Sequence, residues 1–292
     1  MHILACIPAF NEEEIIGELV KRSLLYVNDV VVCDDGSSDN TSNEAEKAGA
    51  YVIKHEINMG KGASLKSLFK YARRYRTDII ITIDGDGQFL PEEIPKLCKS
   101  IIEDSTDIVV GYRFDDEKDM PSYRKVGNRL LDHVSNLASE LPLRDTQSGF
   151  RAYSKKSIDK IKFSSAGFAA DSEILISASE NGLRINETKV TVKYNIGKKT
   201  STKNPVSHGG GVLAVIVKLV LIKHPLKFLG TPGIISLIAG LVSSIYVMNI
   251  FNEIRYFSIP FGLLSMGFLV LGSMLILVSC LLYAFNRQIN KQ

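Results

Sequence analysis

Thr77-Asp78-Ile79-Ile80-Ile81-Thr82-Ile83-Asp84-Gly85-Asp86-Gly87-Gln88 is the stretch whose reading decides the fold. Its first seven residues are a β-branched run that predicts a buried parallel strand. Two carboxylates separated by one glycine stand where that strand ends. In an open α/β sheet, ligands bind outside the carboxyl ends of the strands. Paired acidic oxygens there suit a hard divalent cation, which usually also holds substrate phosphates. The same residues also make a plain Asp/Gly turn, and the stretch alone does not separate the two.

Upstream, the pattern repeats. His2 to Pro8 predicts a strand closed by Pro8-Ala9-Phe10-Asn11-Glu12, with Asn11 as N-cap of a following helix. Asp29 to Cys33 predicts a second strand, ending in Asp34-Asp35-Gly36-Ser37-Ser38-Asp39, with a helix from Asp39 or Thr41. Tyr51 to Lys54 is a third strand, and Asn58-Met59-Gly60-Lys61-Gly62 opens a helix reaching about Tyr75. Pro91 suits a first helical position, and Asp107 to Val110 is a further strand. Strands alternating with helices predict a mostly parallel α/β sheet. Four acidic or glycine-bearing loops then share one sheet edge, which favours the cation reading of Asp84 and Asp86. Beyond Gly111 the alternation weakens. Tyr112 to Met120 reads as a charged loop, Tyr123 to Glu140 as a helix and Asp145 to Arg151 as a loop. Asp171 to Glu180 reads as a helix capped by Asp171, and Arg184 to Tyr194 as an alternating strand.

The chain has 292 residues, 45% hydrophobic and 23% charged, with a formal net charge of +3. That charge is too small to argue for a nucleic-acid partner. Cys6, Cys33, Cys98 and Cys280 lack disulfide or metal spacing and read as small apolar fillers. The first strand begins almost at Met1, which predicts no secretory leader. Phe228 to Phe251 and Phe257 to Asn286 contain no charged residue. Each exceeds the roughly 20 apolar residues that cross a bilayer as a helix, so a transmembrane hairpin is predicted. Lys218, Lys223 and Lys227 precede it, Arg287 and Lys291 follow it, and only Arg255 lies between. The positive-inside rule then places both ends, and the N-terminal domain, on the cytoplasmic side. Val212 to Lys223 reads as an interfacial helix along the membrane surface, or as a buried helix of the soluble domain. The predicted division is 1–196 for the α/β domain, 197–227 for a linker and membrane-surface segment, and 228–286 for two spans (about 228–251 and 260–284).

No G-x-x-x-x-G-K-[ST] loop is present, and no G-x-G-x-x-G follows the first strand, so a dinucleotide cofactor is not indicated. Instead, Ile7-Pro8-Ala9-Phe10-Asn11-Glu12, Asp34-Asp35-Gly36-Ser37, Asn58 with Gly60-Lys61-Gly62, and Asp84-Gly85-Asp86-Gly87-Gln88 resemble, in order and spacing, family 2 glycosyltransferases of the GT-A (Rossmann-like) fold. Asp145 with Ser148-Gly149-Phe150-Arg151, and the two spans, narrow the resemblance to dolichol- or polyprenyl-phosphate glycosyltransferases. Thr200 to Gly209 resembles archaeal members that serve protein N-glycosylation. The chain has no tryptophan, so the Q-x-x-R-W motif of processive polysaccharide synthases is absent.

The resemblance implies an inverting transfer of one sugar from a nucleotide diphosphate sugar (UDP-N-acetylglucosamine, UDP-glucose or GDP-mannose) to a dolichyl or polyprenyl phosphate, dependent on Mg2+ or Mn2+. The implied partners are that donor, that acceptor and membrane lipid, with homo-oligomer formation left open. It implies that Pro8, Phe10, Glu12 and Asp35 hold the nucleoside, Asp35 by accepting a base N–H. Lys61 would meet the diphosphate, Asp84 the sugar or ribose, and Gln88 would support the donor. Asp86 is implied as the direct metal ligand, with Asp84 beside it. Arg113 and Arg124 would bind the acceptor phosphate, with Asn128 as neighbour and Arg151 and Lys203 as further contacts. Asp145 would orient the attack, and Asp171 and Glu173 could face the sugar, although helix capping is the preferred reading of Asp171. Each has a plain alternative: Lys61 a solvated helix start, Arg113 and Arg124 surface arginines, Asp145 a loop cap. Two other functions compete: an inactive nucleotide-binding membrane scaffold, and a membrane-tethered transferase with a non-lipid acceptor.

Overall fold

The computed structural model describes residues 1–113, 132, 136, 141–164, 170–193, 221 and 224–289. The chain divides into two compact units, Met1–Ile216 and Val217–Gln292. Arg124, Asn128, Lys203, most of the helix predicted over Tyr123 to Glu140 and nearly all of the membrane-surface segment lie outside the described residues.

In the first unit, β1 (Ile3–Ala9), β2 (Asp29–Asp34), β3 (Tyr51–Lys54), β4 (Ile79–Thr82), β5 (Ile108–Tyr112), β6 (Arg151–Ser154) and β7 (Ile185–Lys189) form one sheet. Its order is β3-β2-β1-β4-β6-β5-β7. All pairs are parallel except those of β6, which runs antiparallel to both β4 and β5. Every residue of β4 is buried, because both sheet faces are covered. Ile79 and Ile81 enter one core with Ile7, Leu19 and Val109, while Ile80 enters the other with Cys6, Leu68 and Phe69. Alternate residues of a strand face opposite ways, so a strand covered twice shows an unbroken apolar run.

The helices α1 (Ile16–Ser23), α2 (Thr41–Lys47), α3 (Lys61–Arg74), α4 (Ile94–Glu103), α5 (Lys155–Lys160) and α6 (Ala170–Glu180) provide those covers. Two local expectations are corrected. Asn11 does not cap α1, which starts five residues later with no side-chain cap. It takes φ 56° instead, and its side chain accepts from the Ser38 N–H at 2.9 Å. The second correction is β6, where only the end of a loop was expected; Ser154 at its end caps α5 by accepting from Ser157 N–H.

In the second unit, a π-helical turn, Leu226–Gly230, leads into α7 (Thr231–Ile254), and α8 (Ile259–Ile289) follows. The stretches Leu226–Ile254 and Ile259–Phe285 are long and apolar enough to cross a membrane. Large side chains such as Ile235, Val242, Leu263 and Leu277 are exposed along them. Between them the helices meet through small residues and hydroxyls. Ser236 donates to the Phe268 carbonyl at 2.8 Å, and Ser265 to the Gly240 carbonyl at 3.0 Å. A Cβ on Gly272 would stand 2.8 Å from both the Gly233 carbonyl oxygen and the Leu237 nitrogen. Such backbone approach is how small residues hold apolar helices together. Gly272→Leu is therefore expected to destabilise the hairpin by roughly 1–3 kcal/mol, read as a lower melting temperature of detergent-solubilised protein. An unchanged melting temperature would refute this packing.

Candidate active site

The loops after β1 and β2 are stitched to each other. Asn11 N–H donates to Ser37 Oγ at 2.8 Å, Glu12 N–H to Thr41 Oγ1 at 2.8 Å, and Asp35 N–H to the Ala9 carbonyl at 2.9 Å. Asp34, fully buried, accepts from Ser37 N–H and from Ser42 Oγ, so it shapes the turn. Pro8 and Glu12 are half-buried here, and Phe10 presents an exposed ring. Asp35 is 3% exposed, and its carboxylate accepts from Met59 N–H at 3.1 Å and Gly60 N–H at 2.6 Å. His55 Nδ1 lies 2.7 Å from the same group. The carboxylate expected to meet a base also holds the neighbouring loop. It fixes Gly60, whose φ of 93° starts α3. His55, not anticipated from sequence, is the bridge between the second and third loops. Its Nε2 reaches Ser67 Oγ at 2.9 Å and Cys33 Sγ at 3.5 Å. Burial pushes the Cys33 thiol up to about 12, which keeps it a core filler rather than a nucleophile.

At the end of β4 the backbone is tightly confined. A Cβ on Gly85 would stand 2.8 Å from the Pro8 carbonyl oxygen. A Cβ on Gly149 would overlap both carboxylate oxygens of Asp84. Gly149 is itself tied to the strand, since its carbonyl accepts from Thr82 Oγ1 at 2.9 Å. Asp86 accepts from Gln88 N–H at 3.1 Å. Burial first, and the Asp84 charge second, push the Asp86 carboxyl up to about 6, against the pull of Lys61 and Arg113. A like charge held close in a partly dry site raises a carboxyl in this way. Among the described residues there is no group of three or more His, Cys, Asp or Glu arranged to cage a metal.

Lys61 joins this edge to a distant helix. Its Nζ lies 2.8 Å from Asp84 Oδ1 and 3.0 Å from Asp171 Oδ2, with its side chain only 12% exposed. Burial lowers its pKa, but Asp171 and Asp84 together outweigh that and raise it. Lys61 is thus not a solvated helix start, and Asp171, expected to cap α6, is turned into the site. Glu173, two residues on, accepts from Ser164.

Arg113, just past β5, grips Asp145 with two bonds, Nε to Oδ2 at 2.6 Å and Nη2 to Oδ1 at 2.9 Å. This fork fixes the guanidinium plane, and its Cζ lies 5.9 Å from the Phe89 ring centre. Asp145 is fully buried. It therefore positions Arg113 rather than facing solvent as a loop cap. Arg151 is corrected as an acceptor contact. It is fully buried, and its Nε, Nη1 and Nη2 donate to the carbonyls of Ser148, Asp171 and Thr146 at 2.8–2.9 Å. Such a guanidinium organises the loop that carries Gly149 and links it to Asp171.

Asp132 was not singled out from the sequence. Its Oδ1 accepts from Thr146 N–H and Oγ1, and its buried Oδ2 has no hydrogen-bond partner among the described residues. Burial, then Asp145, push its carboxyl up from 3.8 to about 7. The folded chain therefore binds a proton that the unfolded chain releases between about pH 4 and 7. The stability this contributes is present at low pH and lost as pH rises through 7. Asp132→Asn keeps the acceptor for Thr146 and is expected to stabilise the protein by roughly 1–3 kcal/mol at pH 8, with no gain at pH 4. Equal melting temperatures at pH 8 would refute it.

Comparison with known proteins identifies the family. The model of the glycosyl transferase family 2 matches residues 4–162. The UDP-N-acetylglucosamine–dolichyl-phosphate N-acetylglucosaminyltransferase of Methanococcus voltae is 34% identical over 215 residues, 66% of this chain and 86% of that protein. The dolichyl-phosphate hexose transferase of Haloferax volcanii is 29% identical over 217 residues, 73% of this chain and 91% of that protein. Among solved structures, glucosyl-3-phosphoglycerate synthase from Mycobacterium tuberculosis, in complex with Mn2+, UDP and phosphoglyceric acid, superposes with a TM-score of 0.59. It is 20% identical, covering 76% of this chain and 78% of its own, which establishes a shared fold. With more than half of its length matched by the family model, and its motifs gathered on one sheet edge, the chain belongs to the family 2 glycosyltransferases.

Proposed function

We propose that this protein is an inverting glycosyltransferase that moves one sugar from a nucleotide diphosphate sugar to a dolichyl or polyprenyl phosphate, at the cytoplasmic face of a membrane. The observation that carries the reading is the charge layout at the carboxyl edge of β4. An anionic pair, Asp84 and Asp86, sits beside one buried lysine, with the aligned Arg113 guanidinium close enough to act on Asp86. The dolichyl-phosphate relatives and the two apolar helices support the acceptor class. Mutual repulsion of Asp84 and Asp86 is what a cation would relieve, so Mg2+ or Mn2+ fits these residues. When bound, it would neutralise the nucleoside diphosphate as that group leaves.

An acceptor phosphate is already anionic, so no strong general base is needed. Its oxygen attacks the anomeric carbon as the bond to the donor diphosphate breaks, and the nucleotide departs with the electron pair. Arg113, aimed by Asp145, holds the acceptor oxygens. Lys61 supplies positive charge on the donor side, Phe10 a stacking face for the base, and Glu12 and Gln88 polar contacts. Arg124, Asn128 and Lys203 are proposed to complete the acceptor side. We favour UDP-N-acetylglucosamine or UDP-glucose over GDP-mannose. The lysines and arginines flanking the hairpin support the cytoplasmic orientation.

The test is transfer of radiolabelled sugar from each of the three donors into organic-extractable product, with dolichyl phosphate and Mn2+. One donor should label the lipid, and that donor should also raise the melting temperature. No labelled lipid and no thermal shift with any donor would overturn the reading.

A further inference from the structure

Lys61 Nζ sits 2.8 Å from Asp84 Oδ1, the carboxylate that the proposed function gives partly to a divalent cation. The same ammonium is 3.0 Å from Asp171 Oδ2. These groups are largely shut away from water, with Lys61 12%, Asp84 25% and Asp171 5% exposed. Screening between two cations on one carboxylate is therefore weak. The Asp84 carboxylate packs directly against Gly149, where a Cβ would overlap both of its oxygens, and Gly149 is tied to Thr82. Asp171 is held in turn, with its backbone carbonyl accepting from the buried Arg151 at 2.9 Å.

We propose that Lys61 is a displaceable internal counter-ion, which competes with the divalent cation for Asp84 and, once displaced, stays tethered by Asp171 and turns its charge to the donor diphosphate. The inference rests on the reading of Asp84 and Asp86 as cation ligands. Asp171 is then a positioning residue: it keeps Lys61 in the site when the bond to Asp84 is given up. A merely structural lysine would behave in the opposite way, since its loss would loosen the edge and weaken cation binding.

The experiment titrates full-length protein in detergent with Mn2+ alone, reading free Mn2+ by electron paramagnetic resonance. Lys61→Met is expected to bind Mn2+ about tenfold more tightly than the unaltered protein. Lys61→Met/Asp171→Asn, which leaves no second carboxylate unpaired, should do the same if the single variant folds poorly. With Mn2+ saturating, both variants should bind the preferred of UDP and GDP about tenfold more weakly. Unchanged or weaker Mn2+ binding in both variants would overturn the exchange. Asp86→Asn separates the two levels. If it abolishes Mn2+ binding while the Lys61 variants bind as the unaltered protein does, the cation site stands and the counter-ion role falls. If it binds Mn2+ normally, or if no form binds Mn2+, both fall.

Discussion

Asp86→Ala is expected to lower lipid-linked sugar formation about a thousandfold, equivalent to ~4 kcal/mol of lost transition-state stabilisation. The proposed chemistry asks this carboxylate to help hold the charge that neutralises a departing diphosphate. A second readout should move the other way. In the folded chain the Asp86 carboxyl is pushed up to about 6 by burial and by Asp84. Above that pH its ionised form opposes folding, and the opposition grows as pH rises from about 4 to 6. Without divalent cations, the variant should therefore melt at a higher temperature than the unaltered protein at pH 7.5. Lost activity with gained stability is the mark of a group kept for chemistry at a cost to the fold. Asp86→Asn keeps the acceptor for Gln88 N–H and should be comparably inactive. Activity above a tenth of normal in both variants would refute the role.

Gly149→Ala is expected to cost about a hundredfold in turnover, although it adds one methyl group. That methyl would occupy the space of the Asp84 carboxylate, forcing Asp84 off Lys61. Gly149 has little room to retreat, because its carbonyl is bound by Thr82 and the following residues enter β6. The cause can be isolated by a double-variant cycle. In an Asp84→Ala background the space is empty, so the added methyl should carry almost no further penalty. An equal penalty in both backgrounds would place the damage in the backbone of the Ser148-Gly149 turn instead.

The parallel part of the sheet is legible in the sequence because β1, β2, β4 and β5 are buried on both faces and show unbroken apolar runs. The two long helices of the second unit are legible because their apolar runs, though largely exposed, continue without charge for the length of a span. What escapes is structure set by partners far along the chain. β6 spans four residues and opens with a buried arginine, so no periodicity marks it. Arg151 reads as a cation for an anionic acceptor because sequence shows its charge and not the three carbonyls around it. The available signal was its position between Phe150 and Ala152, both fully buried. Asp171 looks like a cap because acids favour first turns, while its actual partner, Lys61, belongs to another helix. The motifs mark Asp145 and Arg113 each as candidates, but their pairing depends on how β5 and the Asp145 loop meet. Loop sequences show which groups stand at the carboxyl edge of the sheet; the crossings of the sheet decide which of them touch.

The reversed strand β6 also bears on how the chain can be made and cut. β4 and β5 lie on either side of it and do not pair with each other. During synthesis both emerge before residue 151, so each waits with an unfilled apolar edge until β6 slides between them. Unpaired strand edges of this kind recruit other chains. A fragment ending before Arg151 would retain the four loops that follow β1 to β4 and still lack the strand that joins β4 to β5. It is therefore expected to aggregate rather than bind nucleotide, and any minimal version of the first unit has to extend past β6.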